Sequence, residues 1–175
     1  MSVLPIRIMG DPVLREKARP VKEFSPALKR LAADMLETMY ESQGVGLAAP
    51  QVGISERLFV FDDGETGPMA IVNPELYDPD GIQDGEEGCL SIPGIYFNVE
   101  RANRIRVRGY DLDGNPIDLD GEGLLARILQ HETDHVDGIL FVDRLSDEDR
   151  KAAMRLIREQ DLGLVTTDPH TSRSL

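Results

Sequence analysis

"QHETDHVDGILF", residues 130–141, carries a His-Glu-x-x-His core, and its periodicity organises the reading of the whole chain. On an α-helix, residues four apart lie one turn above each other on the same face. His131 and His135 can therefore aim two imidazoles at a single ion. Glu132 is the natural acid/base beside that ion. Working backward, Leu124, Ile128, His131 and His135 follow one another at steps of 4, 3 and 4 and share one stripe. The spacing predicts a helix over roughly 122–137, with Gly138 placed to end it.

Further out, "SPALKRLAADMLETMYESQG" (25–44) reads as an amphipathic helix. Ser25 can cap it, Pro26 sits in the first turn and Gly44 can close it. Its stripe of Leu28, Leu31, Ala32, Met35, Leu36 and Met39 is core. "RLFVFD" (57–62) and "MAIVNP" (69–74) read as short strands, and "YDPDGIQDGEEG" (77–88) as a turn-rich acidic connection. "RIRVRGYDLDGNPIDLDG" (104–121) turns at Asp113-Gly114, a hairpin signal. A last helix begins at Ser146, with Asp147, Glu148 and Asp149 in its first turn, and fades near Gly163. The expected class is α+β, with short antiparallel strands packed around a central metal-binding helix, an N-terminal amphipathic helix and a C-terminal helix. One catalytic domain over 1–162 and a frayed tail over 163–175 are expected.

Composition narrows the function classes. The 175 residues are 41% hydrophobic and 29% charged, ordinary for a globular chain. A net charge of −13 argues against a general nucleic-acid binder, which needs basic surface to displace counterions. No apolar run approaches the roughly 18 residues of a membrane span. "MSVLPIRIMGDP" has no basic-then-apolar signal, so the expectation is cytoplasmic. A single cysteine forms no internal disulfide, which fits a reducing compartment.

Two imidazoles leave the metal short of a ligand, because catalytic zinc-type sites usually have three protein ligands and a water. A metzincin protease would carry a third histidine where this chain has Phe141. A gluzincin-type carboxylate would come from Glu148 or Glu159, which lie on what reads as a solvated helix face. Of three histidines in all, His170 lies in the expected tail. The remaining soft donor is Cys89, inside "EEGCLSIPG". With His131 and His135 it makes a Cys-His-His set with a fourth position open to water. A peptidase with a carboxylate third ligand, and a merely structural metal staple, are the rival readings.

Three separated blocks, "GVGLAAPQ" (44–51), "EGCLS" (87–91) and "QHETDH" (130–135), together resemble the signature motifs of the peptide deformylases, in that family's order and approximate spacing. The resemblance runs from "PIRIMGDPVLREKARPV" to "GILFVDRL". It implies hydrolysis of the formyl group from the N-formylmethionyl end of nascent peptides, releasing formate. A divalent ion at Cys89, His131 and His135 would lower the pKa of a coordinated water, and Glu132 would take its proton and pass it to the leaving amine. The family pattern assigns oxyanion stabilisation to the Gln51 side-chain amide and the Leu90 backbone N–H. Gly46 would pair with extended substrate. Val45, with Leu124 and Ile128 on the ligand stripe, would line a methionine pocket.

The resemblance further implies ferrous iron in the cell; zinc, nickel or cobalt can replace it in purified protein. Gly85 stands where some relatives carry a bulky aliphatic pocket wall, and Tyr96 where some carry an arginine. Residues 146–161 hold four basic and five acidic side chains, so only weak ribosome association is expected. A monomer is expected, with no membrane and no specific nucleic-acid partner.

Overall fold

A computed structural model describes residues 2–164 and residue 175. After a short 3-10 turn at Pro12–Arg15 comes helix α1, Pro26–Glu41. Ser25 is its N-cap, with the Ser25 hydroxyl accepting from the Leu28 N–H. Leu28, Ala32, Met35 and Met39 are buried, each large side chain contributing about 1.5–3 kcal/mol of transfer free energy. The helix stops one residue earlier than the glycine signal indicates. Gln43 takes the left-handed conformation, at φ 58. Gln43 and Gly44 then donate to the Tyr40 and Met39 carbonyls, closing a Schellman turn. Val45 is thereby free to accept from the Asp62 N–H, which starts the sheet.

Five strands form one antiparallel sheet in the order β1-β2-β3-β6-β7, namely Gly46–Ala48, Leu58–Phe61, Met69–Asp80, Arg104–Tyr110 and Pro116–Glu122. A separate two-stranded sheet pairs β4 (Gln83–Cys89) with β5 (Ile92–Arg101). The expected hairpin at 104–121 is β6 and β7. Residues 77–88, expected as a turn-rich connection, instead end one long strand and make most of another. Up to residue 80, partners on β6 explain it. Glu75 faces Arg108, Tyr77 faces Arg106 and Asp80 faces Arg104 across β3 and β6. The Tyr77 ring lies under both Arg106 and Arg108, at 5.0 and 4.6 Å. These acids and arginines are poor strand formers alone but suit each other across a ladder. Residues 83–89 pair instead with β5, Ile92–Arg101, a strand for which the sequence carries no expectation here.

Helix α2, Leu124–Val136, runs across the five-stranded sheet and also meets β5. It ends as the sequence indicates: Gly138 is left-handed at φ 77, and Gly138 and Ile139 donate to the His135 and Asp134 carbonyls. Helix α3, Asp147–Asp161, is capped by the Ser146 hydroxyl and packs on β5. Of the expected tail, residues 165–174 lie outside the described residues. Leu175 does not project into solvent; it is buried. Among the described residues no helix is long and apolar enough to cross a membrane.

Candidate active site

Helix α2 is buried on almost every side. Its polar residues Arg127, His131, Glu132, Thr133, Asp134 and His135 are all out of solvent, and polar groups stay buried only where partners or function compensate. Cys89, at the end of β4, reaches this helix from another sheet. Its Sγ lies 3.3 Å from His135 Nε2, which lies 3.2 Å from His131 Nε2. The three donor atoms fall within 4.8 Å of one another. All three residues are about 1% exposed. One thiol and two ring nitrogens converging in a dry site is a donor set that fits a divalent transition metal.

Around these donors stands a charged network that the sequence reading did not single out, apart from Glu87's place in the second motif. Glu87 Oε2 is 3.5 Å from His131 Nδ1, long for a hydrogen bond but within ion-pairing reach. That leaves His131 Nε2 for the ion, the arrangement in which a carboxylate orients a metal-binding imidazole. Arg101 grips Glu87 with two donors, at 3.2 and 2.9 Å, and reaches Asp134 at 2.7 Å. Arg144 adds two more bonds to Asp134.

Burial alone would raise the Glu87 pKa, but His131 and Arg101 overcome it and hold the carboxyl at about 2. Burial likewise opposes charge on His131, and the adjacent Glu87 outweighs it, so that imidazole is pushed well up. His135 is pushed down, by burial and then by His131. Asp134 could have been suspected from its place within the His-Glu-x-x-His turn. Arg101 carries no local signal.

Glu132 is fully buried, and among the described residues neither oxygen has a hydrogen-bond partner, though Oε1 lies 3.9 Å from His131 Nε2. Desolvation raises its pKa to about 7, Glu87 adding to the effect and His131 opposing it. Space for this carboxylate comes from Gly46: a Cβ there would stand 2.6 Å from Glu132 Oε1. Gly46, expected to serve substrate backbone, thus has a second structural reason to be glycine.

Gln51 is fully buried in a 3-10 turn, Ala49–Val52. Its Oε1 accepts from the Ala48 N–H at 2.9 Å. The amide nitrogen is thereby turned the other way, donating to Ser91 Oγ at 3.1 Å and lying 3.6 Å from Cys89 Sγ. A fixed donor aimed beside the ligand thiol suits an oxyanion. The Leu90 N–H is the next backbone donor after Cys89.

A cavity of about 360 Å³ opens next to the donors, lined by Val45, Gly88, Tyr96, Leu124, Arg127 and Leu175 among others. Ile128 is buried in the same apolar cluster as Val45 and Leu175. Arg127 was not anticipated. Its guanidinium lies over Gly85, where an added Cβ would meet Nη2 at 3.2 Å, and Nη1 is 3.5 Å from Glu87. The absence of a side chain at 85 thus leaves room for the large one at 127. Tyr96 covers Gly88 in the same way. A larger cavity of about 630 Å³, between residues 19–23 and the start of α1, contains none of these donors; the chemistry is at the smaller one.

Comparison with known proteins agrees with this geometry. The family model of the polypeptide deformylases matches residues 3–151. A peptide deformylase of Acidothermus cellulolyticus is 51% identical, over 99% of this chain and 98% of the relative. One from Alkalilimnicola ehrlichii is also 51% identical, over 91% of each. The crystal structure of peptide deformylase from Thermus thermophilus superposes with a TM-score of 0.88 at 51% identity, over 93% of this chain and 97% of that one. The deformylase of Ehrlichia chaffeensis in complex with actinonin gives 0.86 at 36% identity, over 92% and 99%. With a Cys-His-His donor set, a desolvated glutamate and this degree of similarity along nearly its whole length, the chain belongs to the peptide deformylase family of enzymes.

Proposed function

We propose that the protein hydrolyses the formyl group of N-formylmethionyl peptides, using one divalent ion held by Cys89, His131 and His135. The observation that carries this reading is the approach of the Cys89 thiol to both imidazoles beside a buried Glu132 that has no hydrogen-bond partner among the described residues. When bound, the ion supplies Lewis-acid polarisation and makes water more acidic. The residues of the chain do the rest. Glu132, with a pKa near 7, takes the proton of the attacking water and passes it to the amine nitrogen. The C–N bond breaks, and formate and a free amino terminus are released. The Gln51 amide and the Leu90 N–H donate to the oxygen that gains charge as the formyl carbon becomes tetrahedral. Val45, Leu124 and Ile128 take the methionine side chain, with Arg127 lying over Gly85 in the outer wall.

Ferrous iron is the cellular ion in this reading. The donor set also accepts zinc, nickel and cobalt, and affinity order alone does not select among them. A cytoplasmic monomer with at most weak ribosome association completes the reading.

The direct test is formate release from formyl-Met-Ala by metal-loaded protein, compared with acetyl-Met-Ala. Formate should appear, the acetyl peptide should remain intact, and chelation should stop the reaction until a divalent ion is returned. No formate from protein carrying a full equivalent of ferrous or nickel ion would end the proposal.

Gly46→Ala tests the placement of the acid/base. The added methyl cannot coexist with Glu132 Oε1 at 2.6 Å, and a buried side chain has little room to retreat. A displacement of the order of 1 Å costs about 10²-fold in rate. The loss should fall on kcat, with metal content unchanged. A variant with wild-type kcat would show that Glu132 need not stand where it does.

A further inference from the structure

We infer that Leu175 of the chain itself occupies the methionine pocket and competes there with peptide substrate. This rests on the deformylase reading of the pocket, but the contact stands on its own observations. Leu175 is 4% exposed and packs in the apolar cluster that holds Val45 and Ile128. Its N–H donates to the Gly88 carbonyl, and its carbonyl accepts from the Leu90 N–H, both at 3.3 Å. Giving to the residue before Cys89 and receiving from the residue after it is the pairing of a parallel strand against Cys89.

The edge it uses is available because, among the described residues, β4 has β5 as its sole strand partner. Such an edge presents backbone donors and acceptors to any extended segment. Leucine and methionine have similar volumes and exchange readily in apolar sites, so a slot filled by one suits the other. The Leu90 N–H cannot serve both the Leu175 carbonyl and an oxyanion in the same position. Leu175 and substrate are therefore alternatives.

The end of α3 lies on this side of the molecule. Gln160 donates to the Pro93 carbonyl, beside Ile92, which pairs with Cys89. Tethering within one chain sets an effective concentration on the order of millimolar, so a contact built from two long hydrogen bonds and one side chain still competes.

The test compares metal-loaded full-length wild type with Leu175→Gly and Leu175→Met. The readouts are kcat and KM for formyl-Met-Ala and the hydrogen-exchange rate of the Leu90 amide. A pocket free in about one molecule in five raises apparent KM about fivefold. Leu175→Gly should lower KM by about that factor without raising kcat, and should speed Leu90 exchange. Leu175→Met should behave as wild type in both. Unchanged Leu90 exchange in Leu175→Gly overturns the contact, and faster exchange with unchanged KM overturns the competition. Absence of formate from all three proteins would instead bring down the deformylase reading, and Leu90 exchange would still judge the contact.

Discussion

Glu132→Gln should lower formate release by about 10⁴-fold, the upper end of what a positioned acid/base contributes, while the protein retains its metal. The amide keeps the size and shape of the carboxylate beside Gly46 but can neither accept the water proton nor carry it to the leaving amine. Formate release and metal content measured on the same preparation decide the point. Wild-type turnover in the variant removes Glu132 from the mechanism, whereas joint loss of metal and activity makes it structural.

The same substitution should stabilise the metal-free protein, in a pH-dependent way. A carboxyl raised from 4.5 to about 7 on folding keeps its proton in the folded state after the unfolded chain has lost it. Between those values the unfolded state binds fewer protons, so stability falls as pH rises, and the loss is complete above about pH 7. For a fully buried group the cost is on the order of 3 kcal/mol. Tm of metal-free wild type and Glu132→Gln should therefore nearly coincide near pH 4 and separate toward pH 8, the variant melting higher. A gap independent of pH would show that Glu132 is not held neutral by burial.

Cys89→Ser should weaken divalent-ion binding by more than the roughly 10–100-fold that losing an outer partner of a ligand typically costs, and formate release should fall with it. A serine hydroxyl is a poor, protonated donor where a thiolate would serve. The residual pair of imidazoles matches a site with too few ligands. Titration of metal-free protein with zinc, followed by a chelator of known affinity, gives the binding constant directly. Retention of tight binding in Cys89→Ser would point to a carboxylate third ligand. Of the two carboxylates beside His131, Glu87 is already committed to Arg101 and to His131 Nδ1, which leaves Glu132, 3.9 Å from His131 Nε2, as the one to examine.

Much of the architecture was legible before any coordinates. Ser25 and Ser146 cap their helices, Gly138 closes α2, and the hairpin turns where Asp113-Gly114 indicates. Each of these is decided by neighbours a few residues away. The strands at 77–88 and β5 were not legible, since residues 77–80 are held by Arg106 and Arg104 on β6, remote along the chain, and β4 and β5 by each other. A run of aspartates and glycines looks like a loop until the strands that face it are known. Arg127 escaped notice for a similar reason: only packing shows that it fills what Gly85 leaves empty.

By itself the sequence determined the i, i+4 pair of imidazoles, the glutamate between them and the short list of remaining soft donors. Periodicity and capping are local free energies and can be read from a single chain. Only the tertiary structure decided that the Cys89 sulfur, from another sheet, lies 3.3 Å from His135. It also decided that Glu132 is dry enough to titrate near 7 and that the Gln51 amide faces inward. Those properties depend on desolvation and on contacts between segments far apart along the backbone, which no local pattern encodes.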